Sequence, residues 1–299
     1  MEHTDKKILY NENAECESSL EISGESKSQS RFVDIHCHCL PWTDDGPVTM
    51  EESIALCRAL VRDRIKTVIA TPHQLGQYDK STEAVKIREK VKVLNNELRK
   101  NGIPLSVLPG GDVRVDERIC RMIKEDRILT LADNGRYILL ELPEGIIVDI
   151  NTLIIELYDM GIRSVISHPE RHDILIRNHQ VLFKWIKYGG CIQITAGSLL
   201  GRFGEEAKKA SWNFLSIGLP IIVATDSHNT STRSPCMRAA YELIRFKMGE
   251  DTAKTVCMEN PGRLVEGREV LILPSLKINM GVYGRFSNIF GKQPHTLHT

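Results

Sequence analysis

From Phe32 onward, short apolar runs alternate with segments of helical periodicity, and that alternation leaves few folds open. The runs are FVDIH, KTVIATPH, PLSVLPGG, RYILLELP, RSVISHPE, CIQITAG and PIIVATDSH. Between them, apolar residues recur at spacings of three and four around Ile54 to Val61, Val85 to Leu98, Ile119 to Ile128, Leu153 to Met160, Val181 to Ile186 and Ala207 to Leu215. Thr49 and Glu52 form a capping box, and Gly102, Gly161, Gly189 and Gly218 each stand where a helix is left through a left-handed residue. Strand–helix alternation predicts an α/β fold with a parallel sheet and helical crossovers. Seven such units predict a closed (β/α)7 barrel over residues 32–276, one unit short of eight, with its site at the C-terminal ends of the strands. Residues 1–31 are polar and rich in Ser, Glu and Lys, so a disordered extension is expected there; the pattern fades again in a tail over 277–299.

That end of the barrel is where the chemistry-bearing residues fall. His36 and His38 close the first run; Asp45 follows in DDGP, His73 in ATPH, Asp112 in PGGD, Glu141 in LLELP, His168 in SHPER, and Asp226 and His228 in ATDSH. Imidazoles and carboxylates are the donors that Mn²⁺, Fe and Zn²⁺ accept. A single catalytic zinc uses about three protein ligands, so a set this large implies two or three divalent ions activating a water for a displacement. Cys37 and Cys39 alternate with the two histidines but share the opposite strand face, which reads as buried thiols behind the sheet. Arg171 and Arg233 stand close to the metal motifs, and guanidinium forks match phosphate oxygens. The competing reading pairs each with a nearby carboxylate such as Glu170 or Asp173.

Several classes are excluded. A cysteine phosphatase needs Cys-x5-Arg, whereas the positions six after Cys37 and Cys39 hold Thr43 and Asp45. There is no Gly-rich nucleotide loop ending in Gly-Lys-Ser/Thr. Thirty-nine basic and thirty-nine acidic side chains cancel, which argues against nucleic acid as a partner. No stretch approaches the ~20 apolar residues of a membrane span, and the N-terminus lacks a secretory pattern, so a cytoplasmic protein is expected. Eight cysteines without a CxxC pair are then expected to be free thiols. The sequence is compatible with a monomer or a homo-oligomer.

Taken together, DIHCHCLPWTDDGP, ATPH, SHPERH, QITAGSLLG and SHNTSTRSP resemble the polymerase-and-histidinol-phosphatase (PHP) superfamily. Within it, DDGP directly after HxH, with HPER and the Arg233 segment, is most similar to the metal-dependent bacterial protein tyrosine phosphatases of capsular and extracellular polysaccharide synthesis. The resemblance runs from Phe32 to about Gly267. It implies a distorted seven-stranded (β/α) barrel with three ions, often Mn²⁺, with Fe, Co or Zn as alternatives. It also implies that His36, His38, Asp45, His73, Glu141, His168, Asp226 and His228 are ligands and that Arg171 and Arg233 bind phosphate. The implied substrate is phosphotyrosine on the tail of a bacterial tyrosine kinase. Asp112 departs from the pattern, which has Glu as the metal-bridging carboxylate, and the N-terminal extension departs too. Two other readings stay open: a PHP phosphoesterase for a small metabolite such as histidinol phosphate or a sugar phosphate, and a non-catalytic regulator that keeps the fold.

Overall fold

The structure, a computed structural model, describes residues 32–274 except 80, 81, 144 and 147. The expected extension over 1–31 and tail over 277–299 lie outside the described residues. The strands are β1 (Phe32–Cys37), β2 (Ile65–Ala70), β3 (His73–Gln74), β4 (Ser106–Pro109), β5 (Asp112–Arg114), β6 (Tyr137–Glu141), β7 (Arg163–Ile166), β8 (Cys191–Thr195) and β9 (Ile221–Ala224). Each apolar run supplies a strand, and two runs supply two. Pro72 offers no N–H and splits β2 from β3. Gly110 and Gly111 split β4 from β5, and they let this chain press on its neighbour. A Cβ on Gly110 would lie 2.6 Å from Ile69 Cγ2, and one on Gly111 would lie 2.2 Å from Gln74 Oε1.

Every strand pairing is parallel. The ladder forms two sheets, ordered β1-β2-β4 and β3-β5-β6-β7-β8-β9. At the C-terminal end of β1, His36 O accepts from Asp226 N at 2.8 Å and His38 N donates to Ser227 O at 2.9 Å, so the first strand meets the segment leaving the last.

The crossovers are helical. They comprise α1 (Met50–Arg62), α2 (Ala84–Lys100), α3 (Ile119–Lys124), α4 (Asn151–Asp159), α5 (Asp173–Arg177), α6 (Gln180–Trp185), α7 (Ala196–Leu199) and α8 (Gly204–Ser216). Ala84, Ile87, Val91, Leu94 and Leu98 of α2 are buried at the spacing of three and four that specified the helix. Thr49 Oγ1 accepts from Glu52 N at 3.2 Å; Glu52 reaches back one residue further than a capping box requires, to Val48 N. The four helix-ending glycines have φ of +63° to +78°. The helix expected over 119–128 stops at Lys124, because Asp126 adopts φ +55°. After β9 come α9 (Met237–Met248), α10 (Glu250–Lys254) and α11 (Asn260–Val265), which the sequence reading did not identify.

The buried side chains form two clusters. The larger lies under the helices, and Cys37 and Cys39 belong to it. The smaller collects Val33, Ile35, Ile69, Leu139, Val165 and Ile222 among others, from both sheets. Counting in twos along each strand from this inner cluster leads to the candidate site: Ile69 to His73, Leu139 to Glu141, Cys191 to Gln193, and Ile222 through Ala224 to Asp226 and His228. β1 breaks the parity with an irregularity. Between Asp34 and Cys37 it advances three residues while β2 advances two. This bulge turns His36 and His38 to the face that Val33 and Ile35 occupy below.

Candidate metal centre

Two of the convergent residues have backbones that an L-residue rarely adopts. His168 has φ +28° and Asp226 has φ +53°, each the second residue past a strand. Such conformations are unfavourable by roughly 1–3 kcal/mol each and persist where the surroundings impose them. Here they aim the two side chains into the space where the other strand ends converge.

Three groups of donors lie close enough to share ions: His38, Asp45, His73 and His228; His36, His38 and Asp226; and His73, Asp112 and Glu141. They share His38 and His73, so the groups are contiguous. His168 stands outside all three, with Nε2 3.9 Å from Glu141 Oε1 and its ring stacked 5.8 Å from that of His36. Donor atoms are separated by 3.3 Å for His36 Nε2 and Asp226 Oδ1, 3.5 Å for His38 Nε2 and the same oxygen, and 3.3 Å for His73 Nδ1 and Asp112 Oδ2. Ligands about 2.1 Å from a common ion stand roughly 3 to 3.5 Å apart.

Hydrogen bonding behind the rings settles which nitrogens face inward. His36 Nδ1 lies 2.9 Å from Gln193 Oε1, which also accepts from His168 N, so this nitrogen carries the proton. His38 Nδ1 donates to Asp44 Oδ2 at 2.6 Å. The two Nε2 atoms therefore present lone pairs to each other at 3.1 Å. His228 Nδ1 donates to the Asp226 carbonyl at 3.0 Å, which leaves its Nε2 lone pair 3.2 Å from Asp45 Oδ1. Acceptor facing acceptor at this range is repulsive unless a metal cation or a proton lies between them. Both Asp112 oxygens, His73 Nδ1 and His228 Nε2 are buried without a hydrogen-bond partner. The donor set fits divalent cations in chemistry and in spacing.

The electrostatics agree. Burial holds the His38 and His168 imidazoles well below their ordinary pKa, so both are neutral, as ligands must be. Burial would raise the Asp226 carboxyl, but Arg171, His36 and Arg233 hold it well below the usual carboxylate range. Burial and the Asp112 charge push Glu141 up to about 7. For His73 burial acts downward, yet Asp112 and Glu141 outweigh it and bring the ring to about 9, so a proton occupies this corner when no ion does.

Each arginine does pair with a carboxylate, as the competing reading expected, but with Asp226 rather than Glu170 or Asp173, and Arg233 Nη1 also lies 3.7 Å from Asp45 Oδ2. Arg171 Nη2 and Arg233 Nη2 both donate to Asp226 Oδ2, at 2.5 Å and 2.7 Å, while Oδ1 of the same carboxylate faces the histidines. Glu170 is buried elsewhere, accepting from Thr195 N and Ser198 Oγ. The sequence reading missed Asp44, Gln193 and Arg114. Asp44 holds His38 and accepts from His73 N; Arg114 Nη1 donates to Glu141 Oε2 and to Leu142 O. Strand parity was the available signal for Gln193, since it sits two positions beyond Cys191 on the inner face.

The chain is similar to known metal-dependent tyrosine phosphatases. The model of the family described as capsular polysaccharide synthesis, CpsB/CapC, matches residues 32–266. The tyrosine-protein phosphatase YwqE of Bacillus subtilis is 36% identical over 242 residues, covering 81% of this chain and 91% of the relative. The tyrosine-protein phosphatase CpsB of Streptococcus pneumoniae is 30% identical over 241 residues, covering 78% and 98%. A crystal structure from work on these two proteins, described as unique metal-dependent tyrosine phosphatases, superposes with a TM-score of 0.77 at 34% identity, covering 83% of this chain and 99% of its own.

Proposed function

This chain belongs to the CpsB/CapC family of capsular polysaccharide synthesis, and from that premise we propose that it hydrolyses protein phosphotyrosine with the help of divalent ions. The observation that carries the reading is the pairing of inward-facing lone pairs on His36, His38 and His228 with two arginines on the outer oxygen of Asp226. The former calls for cations; the latter holds two guanidinium groups beside the ions, where their remaining N–H donors can meet a phosphoryl group. The relatives named as tyrosine-protein phosphatases point to the ester.

In this reading His36, His38, Asp45, His73, Asp112, Glu141, His168, Asp226 and His228 hold two or three ions, Mn²⁺ first, with Fe, Co or Zn as alternatives. Bound there, such ions supply positive charge to phosphoryl oxygens and lower the pKa of water. Arg171 and Arg233 grip the non-bridging oxygens and take up charge as the phosphoryl group transfers. A tyrosyl leaving group with pKa ~10 needs little acid assistance. Residues 32–276 act as one domain whose two sheets are arcs of a single seven-stranded barrel; the inner cluster fed by both sheets and the bonds between His36, His38 and the segment after β9 support this. The substrate is the phosphorylated tail of a bacterial tyrosine kinase, met in the cytoplasm. Among the described residues no helix is long and apolar enough to cross a membrane.

The test is turnover of a phosphotyrosyl peptide and of histidinol phosphate by the Mn²⁺-loaded and the chelator-stripped protein. Peptide turnover that vanishes on stripping and returns with Mn²⁺ is expected. A preference for histidinol phosphate would replace this reading with the small-metabolite one, and inertness of the loaded protein toward both would leave a regulator.

A further inference from the structure

Arg171 is held on two sides. Its Nη2 donates to Asp226 Oδ2 at 2.5 Å, and its Cζ lies 4.7 Å from the ring centroid of Phe203. A guanidinium over an aromatic face is attracted by the ring quadrupole and is also fixed in its plane. Arg171 Nε is buried with no hydrogen-bond partner.

The segment between β8 and α8 is shaped to deliver that ring. Phe203 is the residue just before α8. It sits between Gly201 at φ +88° and Gly204 at φ +90°, in a turn pinned by Arg202 N donating to Gly197 O at 2.9 Å and by Gly204 N donating to Gly201 O at 3.2 Å. A Cβ on Gly197 would stand 2.9 Å from Phe203 Cε2, so the glycine of QITAG makes room for the ring. The motif QITAGSLLGRFG supplies no candidate ligand, yet its phenylalanine lies against Arg171, with Gly197 leaving room for the ring.

We infer that Phe203 is a positioning residue for Arg171: its ring fixes the guanidinium plane so that the remaining Nη hydrogens meet the phosphoryl oxygens. This rests on the reading of Arg171 as a phosphate-binding group. The competing account is that Phe203 only fills space, in which case an aliphatic side chain of similar size should serve as well.

The experiment compares the Mn²⁺-loaded, full-length wild type with Phe203→Leu, Phe203→Tyr, Arg171→Ala and the Arg171→Ala/Phe203→Leu double variant. It reads kcat/KM for a phosphotyrosyl peptide and for p-nitrophenyl phosphate, and the affinity for inorganic phosphate by calorimetry. Phe203→Leu should lower kcat/KM for both esters about tenfold, while Phe203→Tyr, which keeps the aromatic face, stays within about twofold. In the Arg171→Ala background Phe203→Leu should add little, because the ring acts through the arginine. Equal losses in the Leu and Tyr variants, or an undiminished Leu effect without Arg171, would overturn the inference. If the wild type hydrolyses neither ester, the proposed function fails on its own. Phosphate affinity then still decides the point: a fall in Phe203→Leu but not in Phe203→Tyr supports it, and no difference between them removes it.

Discussion

At the scale of single residues, Asp226 is the hinge of the site, since one oxygen faces His36 and His38 and the other takes both arginines. In the proposed function this division separates the roles of ion and phosphate, and it makes a prediction about the arginines. Arg171→Ala or Arg233→Ala should lower kcat by ~10²-fold or more by removing a charge-assisted contact to the phosphoryl group. Metal content should hold, because the remaining arginine still neutralises Asp226 Oδ2; elemental analysis beside kinetics checks this, and loss of metal in either variant would make the arginines structural. Asp112 is the second test. It is fully buried, with both oxygens lacking hydrogen-bond partners and His36 Nε2 and His73 Nδ1 at 3.6 Å and 3.3 Å. Asp112→Ala should lose at least one ion and most activity, whereas Asp112→Glu should be tolerated and bind Mn²⁺ at lower free concentration. Full metal content and turnover in Asp112→Ala would remove it from the ligand set. Asp112 and Asp226 were legible as candidates in the sequence because each is a polar residue just after an apolar run, and the arginines because they follow such motifs closely. Asp44 was not, since nothing local separates it from Asp45.

Elements decide how those side chains converge. The bulge in β1 and the break between β4 and β5 each exchange regular pairing for a re-aimed or inward-set residue. Gly111 tests the second. Gln74 Oε1 accepts from Leu129 N at 3.0 Å, and its amide donates to Thr82 O at 2.7 Å, so it cannot yield without breaking buried bonds. A methyl group 2.2 Å from that oxygen must displace one or the other. Gly111→Ala should therefore destabilise the protein by roughly 1–3 kcal/mol and reduce occupancy at Asp112, read as a lower melting temperature together with a lower metal count. An unchanged melting temperature would show that the strand has room to shift. Helices with a full amphipathic repeat, such as α2, were readable from the sequence. The short α5 and α7, and the run α9 to α11 beyond the last apolar strand, were not. The short pieces hold too few turns to show a period, and the last three have no following strand to mark them.

For the whole molecule, ion binding and fold stability are one equilibrium, because facing lone pairs and buried carboxylates oppose folding until a cation offsets them. Chelation should lower the melting temperature by several degrees and Mn²⁺ should restore it; identical melting curves would mean that the site holds no ion in the native protein. Deleting residues 2–30 should leave melting temperature and peptide turnover unchanged, since that stretch has too little apolar content to join a core, and a clear fall in melting temperature would show that it packs on the domain. What the sequence by itself determined is the parallel α/β class, where along the chain the apolar strands fall and the donor types at their ends, because strand periodicity and the chemistry of a side chain are local properties. Only the tertiary structure decided that the ladder is two sheets, that Gln193 and Asp44 set the ring tautomers, that Asp226 draws both arginines and that Phe203 lies against one of them. Each of these depends on the distance between segments far apart in sequence, and that distance is the sum of every bulge, break and left-handed turn along the path.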